Sequence, residues 1–235
     1  MEFSPPLEEA RFIRRYKRFF ADVELDDGSV LTIHCANTGS MRGCINPGSP
    51  CWFSRSNNPK RKLPGTLELV TTEGGRFAGV NTARTNHLVV EAILSGLVSG
   101  LRDYTELATE QRYGEEGSRI DILLTGADSP CYVEVKNVTL EAPGRQGLFP
   151  DAVTDRGAKH LRELARMAKA GQRAVLFYCA QLSETDELGV AGDIDPMYAE
   201  TLRLAQKAGV EVMAWGCDLS PSGIAISREL AFMPP

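Results

Sequence analysis

No run of apolar residues in this 235-residue chain approaches the ~20 needed to cross a bilayer as a helix, so a helical membrane protein is excluded. The opening residues, MEFSPPLEEA, carry acids and prolines and lack the apolar centre of a secretory leader, so a cytoplasmic location is expected. Cysteine never forms a CxxC pair. Cys35, Cys44, Cys51, Cys131, Cys179 and Cys217 lie mostly in apolar, strand-like surroundings, as reduced and buried thiols do. A zinc site from His34, Cys35, Cys44 and Cys51 is conceivable, but its spacing matches no common zinc pattern. There is no internal repeat and no low-complexity tract. A basic excess is also missing. The net charge of −5 argues against whole-surface attraction to nucleic acid and leaves only local basic patches for that purpose.

What is present divides near residue 80. Residues 1–80 carry a charge of +2 and residues 81–235 carry −7. After a short lead-in over residues 1–10, the first part reads as short strands and turns. Residues 11–25 enter a hairpin at Asp26–Gly28, residues 29–36 return, and strands start near Cys51 and span 66–72 and 76–80. Four or five such strands in about 80 residues predict a small antiparallel OB-like barrel. The second part, 81–235, alternates helices and apolar strands. Helices are expected over 85–97, with Asn86 as a plausible N-cap, over 154–170 and over 196–208. Strands are expected over 104–113, 119–124, 131–138, 174–180, 210–216 and 223–227, with a Gly/Pro loop over 141–151. The fold class is α/β with an all-β N-terminal domain.

The chemistry concentrates in Ser118–Val138. Asp121 sits inside one apolar run, and Glu134 and Lys136 inside the next. Charged groups in an apolar setting are costly unless they are paired or bind a metal. Side chains alternate along a strand, so Glu134 and Lys136 share a face, and a hairpin across 126–130 brings Asp121 to them. Two neighbouring carboxylates repel unless a cation lies between them, and all-oxygen ligands suit Mg²⁺ or Mn²⁺. Lys136 can then orient or deprotonate a water, or stabilise phosphate charge. Such a set equips a chain for metal-assisted phosphodiester hydrolysis. An exposed hairpin face bearing a Glu–Lys pair satisfies the same spacing, and both readings stand at this level. Glu91 lies among the apolar positions of the preceding predicted helix.

Basic residues supply candidate nucleic-acid contacts. Arg14, Arg15, Lys17 and Arg18 interleave with Phe12, Tyr16, Phe19 and Phe20, cations for phosphates beside aromatics for stacking. The same pattern fits a strand with aromatics inside and cations in solvent. Lys60, Arg61 and Lys62 add to that basic surface from a loop. Lys159, Arg162, Arg166 and Lys169 form one helical row that fits a duplex backbone or a solvated face. Arg156 and His160 lie four apart near the FPDA segment, placed for a phosphate or for the surroundings of the acidic site. Gly39, in the NTG segment, permits a tight turn.

Taken together, MEFSPPL, RYKRFFADV, NTGSM-x-G, YGEEGSRIDILL, CYVEVKNVTL, FPDAVTDRGAKHLREL and GQRAVLFY resemble the sugar fermentation stimulation protein A family. The resemblance runs from the first residue to at least Tyr178. It implies an OB-like domain joined to a PD-(D/E)xK restriction-endonuclease-like mixed sheet flanked by helices, sequence-nonspecific DNA binding, and a proposed regulatory role in maltose metabolism. The nuclease-type residues carry over to Asp121, Glu134 and Lys136, and Glu91 matches the acidic metal ligand that such nucleases often carry on the helix before the first core strand. The expected functions are a Mg²⁺-dependent DNA phosphodiesterase, a non-catalytic DNA-binding regulator, or an RNA-binding or protein-interaction role for the barrel.

Overall fold

The computed structural model describes all 235 residues. In the N-terminal part, alternation and turns produce β1 (Glu8–Tyr16), β2 (Phe20–Glu24), β3 (Val30–His34), β4 (Pro50–Arg55), β5 (Gly65–Thr71) and β6 (Phe77–Gly79). Strand β1 pairs antiparallel with both β2 and β4, β2 with β3, and β4 with β5. A parallel contact at His34↔Thr66 joins β3 to β5 and closes five strands into a barrel, with β6 continuing from β5. Phe12, Val23, Ile33, Phe53 and Leu67 fill its interior. Closure leaves those five strands with no open edge.

The second part contributes α1 (Thr85–Leu94), β7 (Glu106–Tyr113), β8 (Ser118–Thr125), β9 (Cys131–Val138), β10 (Leu140–Ala142), β11 (Gln146–Phe149), α2 (Asp155–Lys169), β12 (Arg173–Ala180), β13 (Glu187–Val190), α3 (Pro196–Lys207), β14 (Glu211–Ser220), β15 (Gly223–Glu229) and β16 (Ala231–Met233). Six strands form a mixed sheet in the order β7-β8-β9-β12-β14-β15, parallel across β9, β12 and β14 and antiparallel elsewhere. Strand β12 lies at the centre, which explains its unbroken apolar run. Leu88, Val89, Ala92 and Ile93 of α1 pack on one face with Val133, Val175 and Phe177. Leu161 and Leu164 of α2 and Tyr198 and Leu202 of α3 pack on the other with Leu176 and Tyr178. Strands β10, β11, β13 and β16 form a separate small sheet.

Four local expectations change. Residues 11–25, expected as one strand entering the hairpin at Asp26–Gly28, are two strands, β1 and β2, paired antiparallel around a turn at residues 17–19. Residues 1–10 are more than a lead-in: β1 starts at Glu8, Glu2 bridges to Gly223, and the Phe3 N–H donates to Ser222 O. The segment 141–151 is largely a β10–β11 hairpin paired in parallel to β13. Such three- and four-residue strands are too short to show alternation. Asn86 does not cap α1: its N-cap is Arg84, and Asn81 caps the preceding 3₁₀ turn. No helix is long and apolar enough to cross a membrane.

Candidate metal centre and basic surface

Strands β8 and β9 are paired from Ile122↔Val133 to Leu124↔Cys131. One residue earlier on β8, a side chain replaces the ladder. The Val135 N–H donates to Asp121 Oδ2 at 2.8 Å, and the other Asp121 oxygen accepts from Asn86 Nδ2 at 3.0 Å. Asn86 thus spends its amide on the carboxylate, and α1 fixes the Asp121 rotamer.

Glu134 is 1% exposed and lies on the face covered by α2. Its Oε1 accepts from Lys136 Nζ at 2.5 Å and also contacts His160 Nδ1 on α2. Arg156 Nε donates to His160 Nε2 at 3.3 Å. A guanidinium only donates, so Nε2 must be the acceptor nitrogen, and Nδ1 carries the proton given to Glu134. Burial favours the neutral form of Glu134, but the Lys136 charge and the His160 bond outweigh it and hold the carboxyl below the ordinary range. Asp121 moves the other way. Burial and then the Glu134 charge push its carboxyl up, against the Val135 N–H, Lys136 and Asn86. Neighbouring carboxyls with opposed shifts are a common mark of a functional site.

Two buried atoms here have no partner in the protein, Glu134 Oε2 and the Tyr113 hydroxyl. Burial, followed by the charges of Glu134, Glu163 and Asp121, drives the Tyr113 phenol well above its ordinary range. Glu134 Oε2 is an orphaned carboxylate oxygen whose charge reaches Asp121, and such oxygens suit a hard divalent cation, which here would share Asp121 oxygens that already accept from Val135 and Asn86. Two carboxylates are enough for Mg²⁺, which keeps waters or takes substrate phosphate oxygens in its other positions. No group of three His, Cys, Asp or Glu side chains is arranged to hold a metal anywhere in the chain.

Glu91 does not join this centre. Its side chain is 57% exposed and pairs at 3.0 Å with the amino group of Met1. Five residues separate it from Asn86, which places the two on well-separated sides of the helix. The cysteines are all free and buried, and burial pushes the Cys44 and Cys51 thiols up to about 12, a poor state for zinc ligation.

The basic candidates separate into engaged and free groups. Arg14 donates to Asp22 at 2.8 Å, and Arg15 donates to the Asn37, Arg18 and Ser40 carbonyls. Lys17 and Arg18 stand at the exposed β1–β2 tip beside Phe19, while Phe12 is core and Tyr16 stacks on Phe20. Lys60 and Lys62 are exposed on the β4–β5 loop, and Arg61 donates to Thr66 Oγ1 at 2.9 Å. Along α2, Lys159 donates to Glu116 O at 2.6 Å, Arg162 pairs with Glu116, and Arg166 pairs with Glu116 and Glu163. Three of the four cations of that row are therefore engaged by the β7–β8 turn, and Lys169 alone stays exposed and unpaired. Sequence reasoning missed Asn86 as the partner of Asp121, and missed Tyr113. A polar residue at the start of an apolar helix was the only signal for the first.

The family model described as the SfsA N-terminal OB domain matches residues 13–80, and that of the sugar fermentation stimulation protein RE domain matches residues 83–223. A sugar fermentation stimulation protein homolog of Saccharophagus degradans is 55% identical over 98% of this chain and 99% of its own length. The chain belongs to the sugar fermentation stimulation protein family. A family homolog of Pseudomonas fluorescens is 56% identical over 98% of both chains. The solved structure of Pyrococcus furiosus SfsA in complex with Ca²⁺ superposes with a TM-score of 0.89 at 28% identity, covering 99% of this chain and 98% of that one. The family's OB domain is the closed barrel, and its RE domain contains Asn86, Asp121, Glu134, Lys136 and His160.

Proposed function

We propose that this chain is a cytoplasmic DNA-binding protein and a Mg²⁺- or Mn²⁺-dependent phosphodiesterase acting on DNA without sequence preference. The observation that carries the reading is the unpartnered Oε2 of buried Glu134, together with an Asp121 carboxyl raised by burial first and by the Glu134 charge next. Asp121 and Glu134 would hold the ion, which supplies Lewis-acid polarisation of a phosphate and a more acidic water. Lys136, 13% exposed, stands at the edge of the pair and can place a positive charge on a phosphoryl oxygen or orient a water. His160, anchored by Arg156, fixes the Glu134 rotamer. Lys17, Arg18, Lys60 and Lys62 on the barrel offer free cations to a phosphate backbone. The Pyrococcus furiosus relative, solved in complex with Ca²⁺, supports a divalent site in this family.

Incubating the purified protein with plasmid and linear DNA in Mg²⁺ or Mn²⁺ tests the reading. Cleavage that disappears with EDTA, and falls at least about a hundredfold in Lys136→Ala, is the expected result. No cleavage by the wild type, or equal cleavage by Lys136→Ala, refutes the catalytic reading.

A second reading rests on the same contacts. Lys136 and His160 both hold Glu134 Oε1, which satisfies half of that carboxylate without an ion. This favours a non-catalytic DNA-binding regulator, for which the maltose link implied by the resemblance is the physiological setting. It requires salt-sensitive binding that survives Asp121→Asn. Tighter binding of RNA than of DNA would redirect the barrel's role to RNA.

A further inference from the structure

The segments Asn37–Ser40 and Phe149–Thr154 play no part in the metal centre, yet they meet across one cleft of about 600 Å³ between the barrel and the α/β part. Arg15 and Arg18 stand on the barrel wall. Thr154, the N-cap of α2, and Asn137, near the carboxyl end of β9, stand on the other. In α/β sheets the crevice beyond the carboxyl ends of parallel strands is the usual ligand position.

The walls are held in a fixed and strained form. Ser40 Oγ donates to Asp151 Oδ2 at 2.8 Å, and the Met41 N–H donates to the same oxygen at 2.9 Å. Gly39 approaches so closely that a Cβ there would come within 3.0 Å of Asn37 Oδ1 and 3.5 Å of Asp151 Oδ2. Lys17 and Arg18 are consecutive left-handed residues, φ 47° and 64°, and Met41 is a third at 55°. Of the three, Arg18 lines the cleft, and positive φ at residues 17 and 18 is what the tight β1–β2 turn requires.

The charge of the cleft is one-sided. Its charged lining residues are Arg15, Arg18 and Asp151. Asp151 is committed to Ser40 and Met41. Three carbonyls orient the Arg15 guanidinium, and its Nε is buried without a partner. The Arg18 side chain has no partner, and the exposed Thr38 hydroxyl is also free. The start of α2, a 15-residue helix, adds the positive end of its dipole, offset in part by Asp155 in the first turn.

We propose that this cleft binds the phosphate of a nucleotide, either free or at the end of a strand, at a site separate from the metal centre. Oriented guanidinium, hydroxyl donors and a helix start together recognise a phosphate ester, and the volume suits one nucleotide. The site does not depend on cleavage. Asp121, Glu134, Lys136 and His160 are absent from its lining, so it can be tested with every divalent ion chelated.

The experiment is calorimetric titration in EDTA of the full chain with adenosine monophosphate, adenosine, and matched tetranucleotides bearing a 5′-phosphate or a 5′-hydroxyl. Saturable binding of the phosphorylated ligands, absent for adenosine, is the expected result. Arg18→Ala weakens it about tenfold, and Thr38→Val, of nearly the same shape, also weakens it. Lys207→Ala, an exposed cation on α3, leaves it unchanged and controls for net charge. Thermal melting verifies that each variant folds. A phosphorylated tetranucleotide binding more tightly than the monophosphate assigns the site to strand ends, and the reverse order assigns it to free nucleotides. No wild-type binding, binding that ignores the phosphate, or equal affinity in Arg18→Ala and Thr38→Val overturns the proposal. Because no metal is present, a failed cleavage assay and a failed titration are separate results.

Discussion

Asp121 is a residue whose charge works against stability. It is buried beside a second carboxylate, and its charged form is disfavoured by burial first and by Glu134 next. Asp121→Asn keeps an oxygen for the Val135 N–H and removes the repulsion. The melting temperature is expected to rise by the equivalent of about 1 kcal/mol, while Mn²⁺ binding followed by calorimetry is lost. Asp22 is the opposite case. It is 5% exposed, and although burial raises its carboxyl, Thr32, Arg14 and Tyr16 together lower it below the ordinary value. A lowered folded value contributes stability above the unfolded carboxylate range and loses it as pH falls through the folded value. Asp22→Ala should therefore cost about 2–3 kcal/mol at pH 7, and the difference should shrink in acid unfolding curves below pH ~4.

At the scale of elements, α2 holds the β7–β8 turn more than it faces solvent. Glu163 is fully buried and accepts from the Glu115 and Glu116 N–H groups, with Arg166 beside it. Gly114, at φ 70°, lies where a Cβ would collide with that carboxylate. Gly114→Ala is thus expected to destabilise by roughly 2 kcal/mol in urea unfolding. The same contacts separate cations committed to the fold from cations left free. Arg166→Ala should lower the melting temperature by about 2–4 °C and leave the salt dependence of DNA binding unchanged. Lys17→Ala should reduce the slope of log affinity against log salt by about one.

For the whole molecule, the barrel and the α/β part share one core. Trp52 and Leu69 of the barrel lie in the same cluster as Leu88, Val133 and Phe177, together with Phe3 and Leu7. Buried Glu68 on β5 pairs with Arg84 just before α1 at 3.0 Å, and Gln181 bonds Thr85 and Asn137. A fragment of residues 1–80 would expose this apolar face. The full chain is expected to unfold in one calorimetric transition, with Trp52→Ala lowering its stability by about 3–5 kcal/mol. Two separate transitions would show that the shared cluster does not couple the parts.

Alternation, turn residues and apolar runs were enough to specify the barrel strands from β3 onward, the central β12, the three helices, and the common face of Glu134 and Lys136, but they read β1 and β2 as one strand because the turn at residues 17–19 carries no glycine or proline. These are local properties, set by periods of 2 and 3.6 residues that each segment carries in its own sequence. Short strands such as β10 and β13 were not legible, because three or four residues have no period and form only when a partner is present. Charge roles were not legible either. Glu91 and Asn86 lie on one helix, and only the docking of α1 sends Asn86 to Asp121 and leaves Glu91 with Met1. Likewise the α2 cations read as free until the β7–β8 turn was brought beneath them. Sequence by itself determined which chemistry the chain carries. Tertiary structure alone decided which charges meet, because an ion pair depends on distances between segments that lie far apart along the chain.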